Sequence, residues 1–591
     1  MRNNPIQFIT CILLLLSIIA YGSCAADTTV QEYPNTISLI EKESKRLMRK
    51  YHLPALAISV VDDQKIVYQQ AKGSIDLENN IAAAPESVFK LWSLAKVFTA
   101  IEIFREVEEG LIDLDAPITD YLPDFSIKSR FNDPGSISTR DLLAHRAGLP
   151  RSEGLMPDSN ERDISLLEKF EIGASNCYMA YPVQYRYKYS NLGYDLLGRV
   201  IENARQMGYY QYMEEYILDD LGMNNSHFYK EGFRDSLLIA KGYEYYRRSY
   251  HPLIQYNINN VPSGNLFSTI EDLTTFLRAV FEGKVFKNEA TMALMFKDYY
   301  SNPKDPETMG LGWKTVGIDN KELLIWHDGG PTEGIGSLIA FLPGKKIGIA
   351  LVGNGTTLSG GYSLPFAMEI LNSLLEEKEG ITPAKAEKPI RIKLDHDALR
   401  EVEGKYVAFG TIMEIKAREN KLKTKIGGIG LNLLPLDDGE FAVSNWMHRI
   451  GLTKLFKLPI DLSKIRISFI NKTSEDSCYM IVNMGSMSHE ICPLYPQIIS
   501  IPEYLTGLEG EYKVAELLPG NKIGNYSGQS IHISLEDNVW TMSGIYGPII
   551  PLSEQYIQIV GGPFNGETME YNADSGNIVH QKTIFIPMKA D

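Results

Sequence analysis

Ser93 and Lys96 lie three residues apart in the largely apolar stretch 89–104, and their types and spacing suit nucleophilic catalysis. On a helix of 3.6 residues per turn, positions i and i+3 share one face, so the Lys96 amine would lie beside the Ser93 hydroxyl. A serine hydroxyl is a weak nucleophile until a neighbouring base removes its proton. A lysine among apolar side chains loses its own proton more readily, because desolvation disfavours the ammonium form. The pair therefore predicts an activated serine.

The helix that must carry this pair is predicted from the residues that follow it. These are mostly apolar and include Ile101, Ile103, Phe104 and Val107, a pattern typical of a buried helix. The N-terminus of such a helix also favours negative charge on the serine oxygen. The simpler alternative is an ordinary helix start, with Ser93 as the N-cap and Lys96 in solvent. The choice depends on the partners that the rest of the chain supplies.

Two later segments hold polar residues where such partners are needed. Residues 189–191 (Tyr-Ser-Asn) open a predicted helix, although Ser190 or Asn191 could be there only as its N-cap. Residues 327–330 (His-Asp-Gly-Gly) form the polar end of an apolar strand. Residues 139–150 predict a helix that is closed by Gly148 and Pro150, and His145 near its end is interpreted as a structural residue.

The composition is that of a globular protein that does not bind nucleic acid. The chain has 591 residues, of which 44% are hydrophobic and 22% are charged. This length suits about four domains, or about three large ones. The formal charge is −16, from 74 acidic and 58 basic residues. Nucleic-acid binding needs a basic patch, and no block of Lys and Arg in the sequence would form one.

Residues 1–26 predict a signal peptide. A weakly basic start precedes the apolar run 8–20, which is too short for a comfortable membrane span. Two cleavage positions stay open: one after Ala25 or Ala26, and one before Cys24 that would leave a lipidated N-terminal cysteine. No later stretch is long and apolar enough to span a bilayer. The mature protein is therefore expected to be exported, periplasmic or extracellular, with lipid anchoring as an alternative.

Cysteine and histidine usage argues against a cofactor or metal site. Beyond the signal only Cys177, Cys478 and Cys492 remain, which are too few for a disulfide scaffold. Cys478 and Cys492 lie in one β-rich region, where they either pair or stay buried thiols. The ten histidines are scattered and show no zinc-site spacing. We therefore expect no metal and no cofactor.

The remaining patterns divide the chain into one mixed domain and two β-rich units. Helical and strand signals alternate from about residue 33 to 380, which predicts a domain over 27–380. A charged, proline-containing linker follows at 381–395. A weak repeat, Leu-x-x-x-x-Gly-x-Tyr, then occurs at 399–406 and again at 505–512, an offset of 505 − 399 = 106. Two copies of a short-stranded unit predict two small antiparallel β-barrels, over 396–500 and 501–591.

Taken in order, residues 93–96, 189–191 and 327–329 resemble the three motifs of the serine β-lactamase and penicillin-binding-protein superfamily. The tyrosine that begins the second motif is similar to that of the class C-like branch. The supporting phrases include Tyr121-Leu122-Pro123 and Gly310-Leu311-Gly312-Trp313. The resemblance covers about residues 33–375. It implies an α+β fold, with an antiparallel sheet flanked by helices, an all-helical subdomain and a site between them.

The resemblance also implies catalytic roles. Ser93 would be the nucleophile, and Lys96 and Tyr189 would share its proton. The backbone N–H groups of Ser93 and Gly330 would form an oxyanion hole. The product of the first step would be an acyl-enzyme on Ser93, which water then cleaves.

Substrate binding is implied for Asn191, His327, Gly329 and Gly330, and the third motif departs from the pattern. β-Lactamases and transpeptidases usually have a lysine where this chain has His327. A histidine that is largely neutral at pH 7 weakens the grip on a substrate carboxylate. This departure resembles the esterases, amidases and D-aminopeptidases of the branch. The D-aminopeptidase type also carries two lipocalin-like barrels behind its catalytic domain.

The leading hypothesis is thus an exported serine hydrolase that acts on a small amide or ester, with D-amino-acid peptides as one candidate class. The first alternative is a β-lactamase or DD-carboxypeptidase, and the second is a non-hydrolytic peptidoglycan sensor or binding protein. The expected partner is a small molecule or short peptide, and the sequence leaves the oligomeric state open.

Overall fold

The chain folds into an α+β domain followed by two antiparallel β-barrels, which confirms the predicted fold class. A computed structural model describes residues 32–152, 166–255, 257–297, 309–317, 322–330, 332–356, 358, 360–380, 389–408, 411–426, 429–444, 465–470, 479–483, 489–493, 495, 507–516, 530–536, 539–544, 546–581 and 583–588. The predicted signal peptide, Cys478 and residues 381–388 of the predicted linker lie outside these ranges. Within them, no helix has the length and hydropathy needed to cross a bilayer.

The first domain is built on a mixed set of helices and strands. Its helices are α1 (Pro34–Tyr51), α2 (Ala95–Glu108), α3 (Thr139–Leu143), α4 (Leu166–Ala174), α5 (Asn191–Arg205), α6 (Tyr209–Met213), α7 (Val261–Gly264), α8 (Ile270–Glu282), α9 (Glu289–Phe296) and α10 (Gly360–Glu379). Its strands are β1 (Ala55–Asp62), β2 (Lys65–Asp76), β3 (Ile81–Ala82), β4 (Phe89–Lys90), β5 (Gly242–Tyr246), β6 (Ser249–Leu253), β7 (Phe267–Ser268), β8 (Lys314–Gly317), β9 (Leu323–Gly329), β10 (Ile335–Leu342) and β11 (Ile347–Asn354). In the described part of the chain, one antiparallel sheet has the order β3-β2-β1-β11-β10-β9-β8.

Strand β1 shows why both faces of this sheet are covered. Successive side chains of a strand point to opposite faces. Leu56 and Ile58 enter a core shared with α1 and α10, whereas Ala57 and Val61 enter the core that contains α2 and α8. A strand buried on both faces reads as a continuous apolar run, which is the pattern of residues 55–61. The sheet is therefore covered by α1 and α10 on one face and by α8 on the other.

The end of β9 packs directly against the segment that leads into α2. The Ser337 hydroxyl on β10 donates a hydrogen bond of 2.7 Å to the Leu91 carbonyl oxygen. A Cβ atom placed on Gly329 would overlap that same carbonyl oxygen and the Ser337 hydroxyl. The strand thus approaches Leu91 this closely because residue 329 has no side chain. This contact fixes the distance between the strand end and residue 93.

The C-terminal half forms two barrels with the same local architecture. After a short helix, α11 (His396–Arg400), barrel 1 has strands β12 (Gly404–Ala408), β13 (Thr411–Arg418), β14 (Lys421–Ile426), β15 (Ile429–Pro435), β16 (Phe441–Ser444), β17 (Arg466–Ile470), β18 (Tyr479–Asn483) and β19 (His489–Pro493). Barrel 2 has strands β20 (Gly510–Glu516), β21 (Ser530–Glu536), β22 (Val539–Met542), β23 (Gly547–Pro551), β24 (Tyr556–Ile559), β25 (Thr568–Tyr571), β26 (Ile578–His580) and β27 (Thr583–Pro587). Barrel 2 is closed, and the first and last strands of barrel 1 lie side by side.

The sequence repeat corresponds to a repeated hydrogen bond. In barrel 1 the buried Tyr406 hydroxyl donates to the Val402 carbonyl oxygen at 3.0 Å. In barrel 2 the buried Tyr512 hydroxyl donates to the Leu508 carbonyl oxygen at 2.8 Å. Both residues of the second pair are offset by 106 from the first, as the sequence repeat requires. In each barrel the repeated tyrosine therefore bonds the segment just before the barrel to the first strand.

Barrel 2 docks on both of its neighbours. The Tyr495 hydroxyl of barrel 1 donates to the Ile549 carbonyl oxygen at 2.9 Å and accepts from the backbone N–H of Trp540 at 3.1 Å. On the other side, Arg130 Nε of the first domain donates to Thr568 Oγ1 at 3.0 Å. Barrel 2 is thus in direct contact with the helical part of the first domain.

Replacing Gly329 with alanine should destabilise the first domain, because the added methyl group collides with backbone and side-chain atoms of neighbouring segments. We expect a loss of about 1–3 kcal/mol, the usual cost of overpacking a well-packed site. Urea unfolding followed by tryptophan fluorescence measures it. The matched control is Gly317→Ala at the end of β8, where an added Cβ meets nothing within 4 Å. Equal stability of the two variants would show that the close approach at Gly329 is not tight.

Candidate active site

Ser93 lies in a 3₁₀ turn, Trp92–Leu94, that leads into α2. The α-helix itself begins at Ala95 rather than at Ser93. Trp92 has a left-handed backbone with φ 53°, a conformation that costs free energy for any residue other than glycine. The Lys90 ammonium lies 3.8 Å from the centroid of the Trp92 ring and helps to hold it. Both Trp92 and Leu94 are buried, so a rigid turn presents the partly exposed Ser93.

Lys96 is fully buried and is bonded to the preceding turn and to two distant segments. Its Nζ donates to Ser93 Oγ at 3.3 Å and to Asn191 Oδ1 at 2.8 Å. It also donates to the backbone carbonyl oxygen of Ser263, in α7, at 2.5 Å. The alternative of an ordinary helix start with a solvated lysine is therefore wrong for Lys96.

Burial is the main cause that lowers the pKa of the Lys96 ammonium below its usual value. The hydroxyl of Tyr189 and the carboxylate of Asp195 oppose this shift, and the positive charge of Arg151 adds to it. A lowered pKa makes the neutral amine more accessible near pH 7 than it is for a surface lysine. Lys96 thus has the environment that a general base requires.

Tyr189 completes a cluster with Ser93 and Lys96. Its hydroxyl donates to Ser93 Oγ at 2.8 Å. The Lys96 Nζ lies 4.9 Å from the centroid of the Tyr189 ring. Residues that are 96 positions apart in the chain are therefore in direct contact at Ser93. The structure brings together the three residues predicted to be catalytic.

The sequence left open whether Ser190 and Asn191 serve as a helix N-cap or as part of the site, and the structure gives one role to each. Ser190 is the N-cap of α5, since its Oγ accepts from the Gly193 N–H at 3.0 Å. The side chain of Asn191 is thereby available for Lys96, while its N–H donates to the Arg151 carbonyl oxygen at 2.7 Å. Ser190 therefore caps the helix, and the adjacent Asn191 contributes its side chain to the site.

His145 supports the tyrosine from behind. Its ring centroid lies 4.4 Å from that of Tyr189, and its Nδ1 accepts from the Ser190 N–H at 3.1 Å. Burial, with the nearby charge of Lys96, holds the pKa of His145 well below its usual range, so the ring is neutral. Because Nδ1 is an acceptor, the ring proton is on Nε2. This agrees with its interpretation as a structural residue.

His327 lies on the face of β9 that is turned toward the core around α2, but its side chain is only 1% exposed. Its Nδ1 donates to the Asp328 carbonyl oxygen at 2.9 Å. Burial first, and then the positive charge of Lys314, lower the pKa of His327 to about 3. The ring is therefore neutral, and Nε2 has no hydrogen-bond partner among the described residues. Direct contact of this ring with a substrate stays a prediction.

The two glycines of the third motif lie at the edge nearest the nucleophile. Gly329 is packed against Leu91, two residues before Ser93, and Gly330 follows at the end of the strand. Their backbone groups are thus held close to the Ser93 turn by the β9 contact described above. The oxyanion role of the Gly330 N–H stays a prediction.

Sequence reasoning missed two groups beside this cluster. The Ser263 carbonyl oxygen that accepts from Lys96 belongs to the backbone, so no residue type marks it. Lys314, on β8, is bonded to Asp328 at 3.1 Å and places a cation beside the third motif. It is brought there by the pairing of β8 with β9, a register that the sequence did not show.

In the described ranges no group of three or more His, Cys, Asp or Glu side chains is arranged to hold a metal ion.

The lowered pKa of His327 makes stability depend on pH in a defined direction. Between its ordinary pKa and about 3 the unfolded chain binds a proton that the folded protein does not, so stability falls as pH drops. His327→Gln should reduce this dependence by up to about 1.4 kcal/mol per pH unit, the value for one proton. Urea midpoints of both proteins at about pH 7.5 and about pH 5 measure the difference. An unchanged pH dependence in the variant would show that His327 is not buried as the neutral form.

Comparison with known proteins provides independent evidence for the family to which this chain belongs. Residues 40–368, more than half of the chain, match the family model described as "Beta-lactamase". A curated relative, "Protein flp" of Staphylococcus aureus (strain MW2), is 25% identical over 339 residues, or 55% of this chain and 64% of that protein. "Beta-lactamase-like protein 2" of Dictyostelium discoideum is 30% identical over 258 residues, or 42% of this chain and 46% of that protein. The alignments thus span less than two thirds of these relatives.

Solved structures with the same fold extend the likeness beyond the first domain. The octameric penicillin-binding protein homologue from Pyrococcus abyssi aligns with a TM-score of 0.53 at 22% identity, covering 78% of this chain and all of that one. The structure of SurE with D-Leu aligns with a TM-score of 0.53 at 20% identity, covering 79% of this chain and 99% of that one. At these identities the likeness concerns the fold alone.

The family match and the fold agree with the order in which the motifs at Ser93, Tyr189 and His327 occur along the chain. The chain therefore belongs to the β-lactamase family, within the serine β-lactamase and penicillin-binding-protein superfamily.

Proposed function

We propose that this protein is a serine hydrolase that acts by acyl transfer through Ser93 on a small amide or ester. The observation that carries the proposal is the contact of Ser93 Oγ with both Lys96 Nζ, at 3.3 Å, and the Tyr189 hydroxyl, at 2.8 Å. A binding protein has no use for a buried amine and a phenol bonded to one serine oxygen. A serine nucleophile needs such groups to accept its proton.

In the acylation step, Ser93 Oγ attacks the carbonyl carbon of the substrate. Its proton passes to the pair formed by Lys96 and Tyr189, and the same pair returns a proton to the leaving amine or alcohol. Asn191 holds the Lys96 ammonium through its Oδ1, which leaves its amide N–H₂ group to face a substrate carbonyl. The carbon–nitrogen or carbon–oxygen bond breaks, and the acyl group stays on Ser93.

The negative oxygen of the tetrahedral intermediate needs donors that are already in place. The backbone N–H groups of Ser93 and Gly330 are proposed for this role, because the β9 contact with Leu91 holds the strand end next to the Ser93 turn. Water then attacks the acyl-enzyme, with the same two side chains as base, and releases the acid.

The third motif favours substrates without a carboxylate at that end of the site. The pKa of about 3 leaves His327 uncharged at neutral pH, and Lys314 is already paired with Asp328. Two barrels follow the first domain, an arrangement that the resemblance to the D-aminopeptidase type implies, and one structure with this fold is SurE with D-Leu. We therefore propose D-amino-acid peptides, or small esters, as the substrate class ahead of β-lactams.

The nucleophile is tested with a fluorescent phosphonate that labels activated serines covalently. Wild-type protein should be labelled, and Ser93→Ala should not, since it lacks the reacting oxygen. Circular dichroism of the variant checks that it is folded. An unlabelled wild type would overturn the proposal and favour the sensor alternative.

Removing the Tyr189 hydroxyl should slow labelling without unfolding the protein. Tyr189→Phe keeps the ring against His145 but loses the bond to Ser93, so we expect the rate to fall about 10²- to 10⁴-fold, as for loss of an acid–base group. Tyr185→Phe, in the same segment but 42% exposed, is the matched control. Equal rates for the two variants would exclude Tyr189 from the proton transfer.

The substrate class is ranked by three chromogenic compounds measured side by side: D-alanine p-nitroanilide, p-nitrophenyl butyrate and a chromogenic cephalosporin. The proposal expects turnover of the first or second at a higher kcat/KM than of the third. A preference for the cephalosporin would assign the protein to the β-lactamases instead.

A further inference from the structure

One carboxylate of barrel 2 is buried against the first domain behind the Tyr189 segment. Glu567, between β24 and β25, is 1% exposed. Its Oε1 accepts from the Arg151 N–H at 2.8 Å and lies 3.1 Å from the Lys188 Nζ, both in the first domain. Its Oε2 accepts from Gln581 Nε2 at 2.7 Å and lies 3.0 Å from His580 Nε2, both in barrel 2. One side chain thus joins the two domains, with one oxygen toward each.

Both partners in the first domain support the second motif directly. Lys188 immediately precedes Tyr189, and its ammonium also donates to the Pro563 carbonyl oxygen of barrel 2 at 2.9 Å. The backbone of Arg151 is bonded on both sides of its Cα atom: its carbonyl oxygen accepts from the backbone N–H of Asn191 at 2.7 Å, and its N–H donates to Glu567. Glu567 is therefore connected to Tyr189 through the single residue Lys188, and to Asn191 through the backbone of the single residue Arg151.

A neighbouring ion pair between the same two domains differs from the Lys188–Glu567 pair in its exposure to solvent. Glu570, also in barrel 2, is 3.4 Å from Lys128, but both side chains are more than one third exposed. Exposed pairs contribute little, because water screens them and the side chains lose entropy. The Lys188–Glu567 pair is buried, so loss of either partner leaves an uncompensated charge in the interior.

The charge state of Glu567 agrees with this arrangement. Burial alone would raise its pKa, but the Lys188 ammonium and the bonds from His580 and Arg151 outweigh burial and hold the pKa below its usual value. Glu567 is therefore an anion at neutral pH and accepts strong, charge-assisted hydrogen bonds.

We propose that Glu567 is a positioning residue for the acyl transfer, through which barrel 2 holds Tyr189 and Asn191 in place beside Ser93. This inference rests on the proposed function of Ser93, Lys96 and Tyr189. It assigns to barrel 2 a part in the reaction itself: the first domain builds the nucleophile and the base, and the barrel fixes the segment that carries the phenol.

The test compares Glu567→Gln with Glu570→Gln in the full-length protein, using the fluorescent phosphonate as the probe. Three quantities are measured: the maximal labelling rate, the phosphonate concentration at half that rate, and the final labelled fraction. For Glu567→Gln we expect the maximal rate to fall at least about tenfold, because small displacements of catalytic groups have large effects on rate. The half-saturating concentration should change little and the final fraction should stay complete. Glu570→Gln should label like the wild type.

A purely structural role has a different signature. If Glu567 only keeps the protein folded, the variant should show a lower labelled fraction, while the molecules that react do so at the wild-type rate. That result, or a wild-type rate with complete labelling, would overturn the inference. A wild type that is not labelled would overturn it together with the proposed function, whereas a labelled wild type with an equally fast variant overturns this inference alone.

If Glu567→Gln does not fold, the double variant Lys188→Met with Glu567→Gln takes its place, since it leaves no unpaired charge in the interior. The proposal expects the double variant to fold and still to label more slowly than the wild type, because the thioether side chain introduced at position 188 can no longer bond to barrel 2. A double variant as fast as the wild type would show that the pair has no part in positioning Tyr189.

Discussion

The site depends on one buried ammonium. Lys96 has no exposed surface, and its Nζ reaches the nucleophile, the amide of Asn191 and a backbone carbonyl oxygen of α7. A buried ammonium is tolerated only if acceptors replace the water that it has lost. The same loss of water lowers its pKa toward the range in which it can act as a base. Burial of Lys96 therefore requires α5 and α7 to converge on the Ser93 turn, and this convergence brings together the groups that are proposed to be catalytic.

Much of the architecture could be predicted, because it is marked by short motifs, by their order along the chain and by a repeat at a fixed offset. Three motifs in the correct order identified the first domain, and an offset repeat identified the two barrels; the common hydrogen bond at Tyr406 and Tyr512 is the physical content of that repeat. The pair of Ser93 and Lys96 needed only helical geometry. The α-helix nevertheless begins at Ala95, because the left-handed Trp92 sets a tighter turn first, and no residue type predicts that conformation.

The rest of the site could not be read from residue types. The Ser263 carbonyl oxygen belongs to the backbone, and the place of Lys314 follows from the register of β8 against β9. His327 was predicted to bind substrate at a strand end; the alternation of β9 places it on the face toward the core around α2, where it is 1% exposed, and its contact with substrate stays a prediction. Glu567 is an acidic residue among 74, far along the chain from the segment that it supports. Contacts of this kind depend on how domains dock, which no local pattern encodes.

The docking of barrel 2 also supplies a negative charge to a group of basic side chains in the first domain. Lys96, Arg151 and Lys188 are basic groups around the Tyr189 segment. Burial first, and then the charge of Arg151, lower the pKa of both lysines. Such a concentration of like charge in a low-dielectric interior is unfavourable unless an anion lies among them. Glu567 is that anion for Lys188, and it comes from another domain. Undocking the barrel would therefore leave Lys188 without its counter-ion beside Tyr189, so the positive charge of Lys188 favours the docked arrangement of the domains.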